Sequence, residues 1–391
     1  MTRAESLIGD YNYPSRYKVG AGRSQELPEL CRLRGMKRPL VVTDRGVQGL
    51  PWFEPLMGAL KKAGLEVFVF ADVRSNPLAE EVRHAISFLK ENACDGVILL
   101  GGGSAMDVGK CVALAANNPG DVLDYEDGAE DVPHAQAANI LPMIALPTTA
   151  GTGSEVGRAA VIVNERQEKV VIFHPDLQPH DVIADPRLTL GLPATLTAHT
   201  GVDAFTHCFE AWCSPGFHPM ADGIALEGMR LIKEFLPRAY ANGQDLEART
   251  QLIVASSMGA TAFQKGLGVV HAISHALGGK LGVHHGLANA IMLPYCMVFN
   301  REAIETRCSI VARHLGLAPA NFEELLLWVL QFRAELGIPH TLQGVAQMSP
   351  DMARTLAPLA KRDASLAGNP KKANEADLEQ IMRNALLGNL Q

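Results

Sequence analysis

No run in the 391-residue sequence approaches the roughly 18 uncharged apolar residues of a membrane-spanning helix, so no transmembrane helix is expected. Met1–Tyr13 contains Arg3, Glu5 and Asp10 and lacks the apolar core of a secretory signal. Basic residues do not dominate: 35 Lys+Arg stand against 42 Asp+Glu, a formal charge of −7, which argues against a nucleic-acid-coating surface. The seven cysteines are odd in number and form no CxxC pair, so reduced thiols in a cytoplasmic protein are expected, not a disulfide scaffold. Repeats, low-complexity segments and long linkers are missing too. What remains, 47% hydrophobic and 20% charged residues, is the composition of a soluble globular protein. A single core seldom grows to this length, so two domains are expected.

The first half alternates short apolar runs with helical spacing. Pro39–Asp44, Glu66–Val73 and Asp95–Leu100 read as strands, and Trp52–Ala63 and Leu78–Glu91 as helices. Strands apolar on nearly every residue are buried on both faces, as in a parallel sheet covered by helices. From about Leu188 the texture becomes helical, through Thr200–Trp212, Met220–Glu234, Asp245–Phe263, Asn321–Leu336 and Asn374–Leu387. The reading is an α/β domain over 1–187, with a parallel, Rossmann-like sheet, followed by an all-α domain over 188–391. The crevice between two such domains is the default place for a ligand.

Two glycine-rich segments follow strand-like runs. Gly101-Gly102-Gly103-Ser104 opens a helix over Ala105–Ala116, and free N–H groups at such a helix start suit a pyrophosphate. Neither common fingerprint fits. A GxGxxG reading from Gly101 meets Met106 at its sixth position, and a P-loop reading from Gly103 has one residue too many and Cys111 where Ser or Thr belongs. Pro147–Glu155 carries Thr148, Thr149, Thr152 and Ser154 with two glycines, a density of small hydroxyls suited to phosphate or ribose. Asp44, closing its strand, suits ribose hydroxyls and repels a 2′-phosphate, or serves as a plain turn residue.

Histidines give the sharpest pattern. Asp203 and His207 are four apart on one helix face, and His271 and His275 repeat that spacing in HAISH, with His284-His285 shortly after. One carboxylate and three imidazoles make a first shell for Fe²⁺ or Zn²⁺. HExxH is absent because Ala272 follows His271, which excludes that metalloprotease pattern. Histidines must be unprotonated to hold a metal, so activity is expected to fall at acid pH. A rate that stays flat down to about pH 5 contradicts that expectation.

Taken in order, GGGSAMD (101–107), PTTAGTGSE (147–155), GVDAFTHCFEAW (201–212) and HAISHALGGKLGVHHGLANAI (271–291) resemble the iron-containing, group III alcohol dehydrogenases over essentially the whole chain. The resemblance implies an NAD-dependent dehydrogenase that interconverts a primary or short-chain alcohol and its aldehyde. It implies metal ligation by Asp203, His207, His271 and His285, Fe²⁺ or Zn²⁺ as the metal, and His275 as proton carrier. The GGGSAMD match puts Gly101, Gly102, Gly103, Ser104 and Asp107 at the NAD. Thr148, Thr149 and Thr152 fall on the nicotinamide side, Asp44 at the adenosine ribose and Lys169 near the active site. It also implies a homodimer or larger homo-oligomer, formed through strands that include Tyr17–Gly20. The role of His284, often proline in relatives, stays open.

Arg158 and Phe263 stand where substrate choice is expected to be set. Arg158 pairs either with an anionic group on the substrate or with a surface carboxylate. A polyol or hydroxy-acid dehydrogenase on the same scaffold is the nearest alternative. A non-enzymatic, partner-binding helical module leaves the histidines unexplained.

Overall fold

The computed structural model describes residues 16–128, 135–345 and 347–390; Met1–Tyr13, where the sequence shows no signal-type core, lies outside them. In chain order the strands are β1 (Arg16–Val19), β2 (Pro39–Val42), β3 (Phe68–Phe70), β4 (Gly96–Gly101), β5 (Met143–Pro147), β6 (Ala159–Val163), β7 (Lys169–Phe173) and β8 (Asp181–Ala184). The helices among them are α1 (Leu27–Leu33), α2 (Arg45–Gln48), α3 (Phe53–Lys62), α4 (Ala79–Glu91) and α5 (Gly103–Ala115). Those that follow are α6 (Ala194–Cys213), α7 (Pro219–Ala241), α8 (Leu246–Ala262), α9 (Val269–Leu281) and α10 (His285–His314). The chain ends through α11 (Phe322–Glu335), α12 (Pro350–Arg362) and α13 (Glu375–Leu387).

The chain divides into two compact units. One holds Pro14–Leu192 with Gly243–Ser257, so it takes most of α8; the other holds Pro193–Asn242 and Met258–Gln391. In the first, six strands form a parallel sheet in the order β1-β8-β5-β4-β2-β3, and β6 and β7 make a separate antiparallel pair. Successive residues of β4 point to opposite faces. Ile98 and Leu100 join a core with Leu27, Leu30, Phe53 and Leu60 from α1 and α3. On the other face α5 lies so close to β4 that a Cβ on Gly109 would collide with Leu99.

The continuous apolar runs are the central strands β2, β4 and β5, every residue of which is buried. The third run is shorter than its sequence suggests: only Phe68–Phe70 of Glu66–Val73 forms a strand, with Asp72 adding one isolated bridge to Asp44. The reason is its place at the sheet edge, where β2 is its only neighbour and its residues are half-buried. The second unit is helical among its described residues. Its α6 has sixteen of twenty residues buried. No helix among the described residues is long and apolar enough to cross a membrane.

Candidate functional site

In the sheet unit the chain runs from β2 outward to β3, then crosses back so that β4 flanks β2 on its other side. Ligands of open α/β sheets bind beyond the strand C-termini at such a reversal. The residues gathered there are the ones singled out in the sequence. Asp44 follows β2 and caps α2, with Oδ1 accepting from Val47 N at 2.9 Å. Its Oδ2 lies 3.7 Å from where a Cβ on Gly101 would stand. Gly102 is the N-cap of α5, and Gly103 and Ser104 begin its first turn, whose N–H groups have no partner within the helix.

The second glycine-rich segment closes on the first. Thr148 N donates to Gly101 O at 3.0 Å. A Cβ on Gly102 would lie 3.2 Å from Thr149 Cγ2, and one on Gly103 only 2.5 Å from Thr152 Cγ2, so glycine is required where the two segments meet. The Ser104 hydroxyl donates to Ser75 O at 3.0 Å.

Beneath this cradle lies a polar knot. Asp107 accepts from Ser154 Oγ at 2.7 Å and from Val161 N at 3.0 Å, so its hydrogen bonds tie α5 to the loop and to β6. The fully buried Lys110 donates to Ser154 Oγ and Ala159 O, both at 2.8 Å. Burial lowers the Lys110 pKa against the pull of Asp107 and Glu155, and burial raises the Asp107 pKa against the opposing charges of Lys110 and Lys169. Lys169 opens β7.

In the helical unit, α6 carries Asp203 and His207, α9 carries His271 and His275, and His285 is the first residue of α10. Gly286 makes this approach of α10 feasible, since a Cβ there would stand 2.5 Å from the His199 carbonyl oxygen of α6. Donor atoms of Asp203, His207, His271 and His285 all lie within 4.8 Å of one another. Asp203 Oδ1 is 3.6 Å from His285 Nε2 and 4.0 Å from His271 Nε2.

Three residues absent from the sequence reading complete this cluster. Glu210 is buried and accepts from Val270 N at 2.8 Å, while its Oε2 lies 2.6 Å from His271 Nδ1. This fixes the ring so that Nε2 faces the cluster with its lone pair, the carboxylate–histidine pairing typical of metal ligands. Burial depresses the His271 pKa, but Glu210, with Asp203 and Asp363, outweighs it and the net direction is up. The sequence held a clue, because Glu210 sits seven residues after Asp203, on the same helix face. Asn289, four residues after His285, donates from Nδ2 to Asp203 Oδ1 at 2.6 Å and lies 3.1 Å from both His271 Nε2 and His285 Nε2. Asp363 Oδ2 lies 2.8 Å from His275 Nδ1 across 88 residues of sequence, with no local motif to reveal it.

The donor set suits a cation. One amide NH₂ offers two hydrogens to three inward-facing acceptors, and the Asn289 Oδ1 is itself buried without a partner. A divalent ion satisfies such a set of lone pairs, and N and O donors suit Fe²⁺ or Zn²⁺.

Of the two substrate candidates, Phe263 lies beside the cluster, its ring centroid 5.1 Å from that of His207. Arg158 belongs to the sheet unit and is half-buried. Its guanidinium lies over the Phe173 ring at 5.7 Å, and no carboxylate pairs with it among the described residues. His284 is the N-cap residue of α10, its ring 5.5 Å from that of His199.

Residues 14–186 match the family described as iron-containing alcohol dehydrogenase, and residues 197–386 match the Fe-containing alcohol dehydrogenase family, C-terminal. The 4-hydroxybutyrate dehydrogenase of Cupriavidus necator is 37% identical over 386 residues, covering 96% of this chain and 99% of the relative. A solved 1,3-propanediol oxidoreductase is 34% identical with a TM-score of 0.90, covering 97% of this chain and 100% of its own. The sulfoacetaldehyde reductase from Bifidobacterium kashiwanohense, solved in complex with NAD⁺, is 29% identical with a TM-score of 0.86, covering 97% and 99%. Matched by both family descriptions over most of its length, the chain belongs to the iron-containing alcohol dehydrogenase family.

Proposed function

We propose that this chain is an NAD-linked, metal-dependent alcohol dehydrogenase, working in the cytoplasm as a homodimer or larger homo-oligomer, that interconverts a primary or short-chain alcohol and its aldehyde. The observation that carries the proposal is the gathering of Asp203, His207, His271 and His285 within 4.8 Å, backed by Glu210. These four residues would hold the metal. A divalent cation, Fe²⁺ or Zn²⁺, supplies Lewis-acid polarisation of the substrate oxygen, and NAD supplies the hydride acceptor.

The chain's own groups do the rest. Glu210 holds the His271 ring in orientation. His275, its Nδ1 paired with Asp363, accepts the hydroxyl proton during oxidation and returns it in the reverse direction. Asp363 then balances the imidazolium. The free N–H groups of Gly102, Gly103 and Ser104 take the pyrophosphate, with Gly101 giving close approach. Thr148, Thr149 and Thr152 shape the nicotinamide side, with Lys169 nearby, and Asp107 fixes the floor beneath. Asp44 binds the ribose hydroxyls and favours NAD over NADP. A relative of this chain was solved with NAD⁺ bound, which supports the choice of cofactor. All seven cysteines are buried and free, in keeping with a reducing compartment.

The test is turnover. Protein loaded with Fe²⁺ or Zn²⁺ should form NADH from at least one member of a panel of neutral and anionic primary alcohols. Absence of bound metal together with absence of turnover on every alcohol contradicts the proposal.

A second reading, an anionic alcohol as substrate, is favoured by Arg158, which no carboxylate neutralises among the described residues. Relatives named for 4-hydroxybutyrate and sulfoacetaldehyde agree with it. A charge-assisted hydrogen bond contributes about 1.5–3 kcal/mol, so Arg158→Ala should raise KM for carboxylated or sulfonated substrates on the order of 10–100-fold and leave neutral alcohols unaffected. Equal losses on both classes would sink this reading.

A further inference from the structure

Arg333, on α11, is 2% exposed, and no carboxylate pairs with it among the described residues. Its contacts are all with neutral acceptors. One guanidinium nitrogen donates to the carbonyl oxygens of Ala290 at 2.7 Å and Ile291 at 2.9 Å, and the other lies 3.2 Å from His340 Nδ1. Tyr295 Oη donates to His340 O at 2.8 Å and lies 3.2 Å from His340 Nε2. One tautomer satisfies these contacts: Nε2–H donates to the tyrosine oxygen, and Nδ1 accepts from the guanidinium, whose Nε is buried without a partner.

The helix explains why a buried cation belongs there. Pro294 lies inside α10, and proline has no N–H to donate to the carbonyl four residues earlier, which is Ala290. Arg333 supplies the missing donor. That carbonyl follows Asn289 directly and sits five residues after His285, the two α10 residues that reach Asp203 and His271. Burial pulls the Arg333 pKa down to about 10, so the guanidinium stays charged at neutral pH and keeps its full set of donors.

We propose that Arg333 is a positioning residue for the metal site: by replacing the donor that Pro294 lacks, it holds the first turns of α10 so that His285 and Asn289 meet Asp203 and His271. The inference rests on the reading that Asp203, His207, His271 and His285 bind a metal.

The experiment measures Zn²⁺ and Co²⁺ affinity of metal-stripped, full-length protein by competition with a chelator, alongside thermal unfolding of the metal-free forms. Changes behind the ligands of a metal site typically weaken binding about 10–100-fold, and Arg333→Met should fall in that range. Pro294→Ala alone should bind as the parent does. The double variant Arg333→Met/Pro294→Ala should recover most of the lost affinity, because the substituted alanine returns an N–H to the Ala290 carbonyl. Arg333→Lys should recover only part, since a single ammonium cannot span two carbonyls and His340.

Arg333→Met with parental affinity, even if it unfolds at lower temperature, overturns the inference, as does a double variant no tighter than Arg333→Met. Should Arg333→Met fail to fold, the comparison passes to the double variant and Arg333→Lys. A double variant near the parent and tighter than lysine supports the inference, and one no tighter than lysine overturns it. Absence of metal binding by the parent protein would instead overturn the underlying metal reading.

Discussion

Asp203→Asn is expected to strip the protein of stably bound metal and to lower kcat/KM about 10³-fold or more. Among the four clustered residues Asp203 is the only carboxylate; the other three are imidazoles, which bind as neutral ligands. The substitution keeps the side chain's shape, so packing around α6 is preserved while the negative charge is lost. It also puts an amide opposite the Asn289 Nδ2, which now donates to Asp203 Oδ1 at 2.6 Å. A Lewis acid contributes several kcal/mol of transition-state stabilisation, and each ~1.4 kcal/mol is tenfold in rate, which sets the expected size. Metal content after dialysis against a chelator, measured with NADH formation on the same sample, checks both parts. Full metal occupancy with a rate near that of the parent would rule out Asp203 as a ligand.

His275→Asn separates the proposed proton carrier from the metal. Bound metal should be unchanged, whereas kcat should fall roughly 10²–10⁴-fold, the usual range for a lost general acid–base group, with partial rescue by added imidazole. A stability effect accompanies it. Burial pushes the Asp363 carboxyl up, but the charge and hydrogen bond of His275, together with hydrogen bonds from Ser365, outweigh burial and hold it below its usual range. A carboxyl depressed in the folded state adds stability above its unfolded-state pKa and loses that contribution as pH falls through the folded value. His275→Asn removes the largest of these partners, so its unfolding temperature should lie below the parent's where Asp363 is ionised and converge with it as pH falls through the folded-state carboxyl value. A constant gap across that range, or metal lost together with activity, would show that His275 is not a proton carrier paired with Asp363.

The sequence reveals most where the physics is local or repeated. Strands β2, β4 and β5 are legible because parallel strands covered on both faces are apolar at nearly every position. The β6–β7 pair is fainter, since only alternate residues of β7 are buried. β3 is shorter than its apolar run because an edge strand pairs on one side only. The ligand-type residues stand out because Asp203/His207 and His271/His275 are helix neighbours at four-residue spacing. Glu210 and Asn289 obey the same helical periodicity and were open to the same argument. Asp363 and Arg333 were not, since each reaches its partner across a long stretch of chain that only tertiary packing brings together.

The most direct measurement titrates metal-stripped protein with Fe²⁺ or Zn²⁺ in the presence of NAD⁺ and a turned-over alcohol, following bound metal and NADH formation together. Both should rise in parallel and level off at one ion per chain, with Asp203→Asn flat in each. Full-rate turnover of metal-free protein, or metal uptake that leaves the rate unchanged, would contradict a dehydrogenase built on Asp203, His207, His271 and His285.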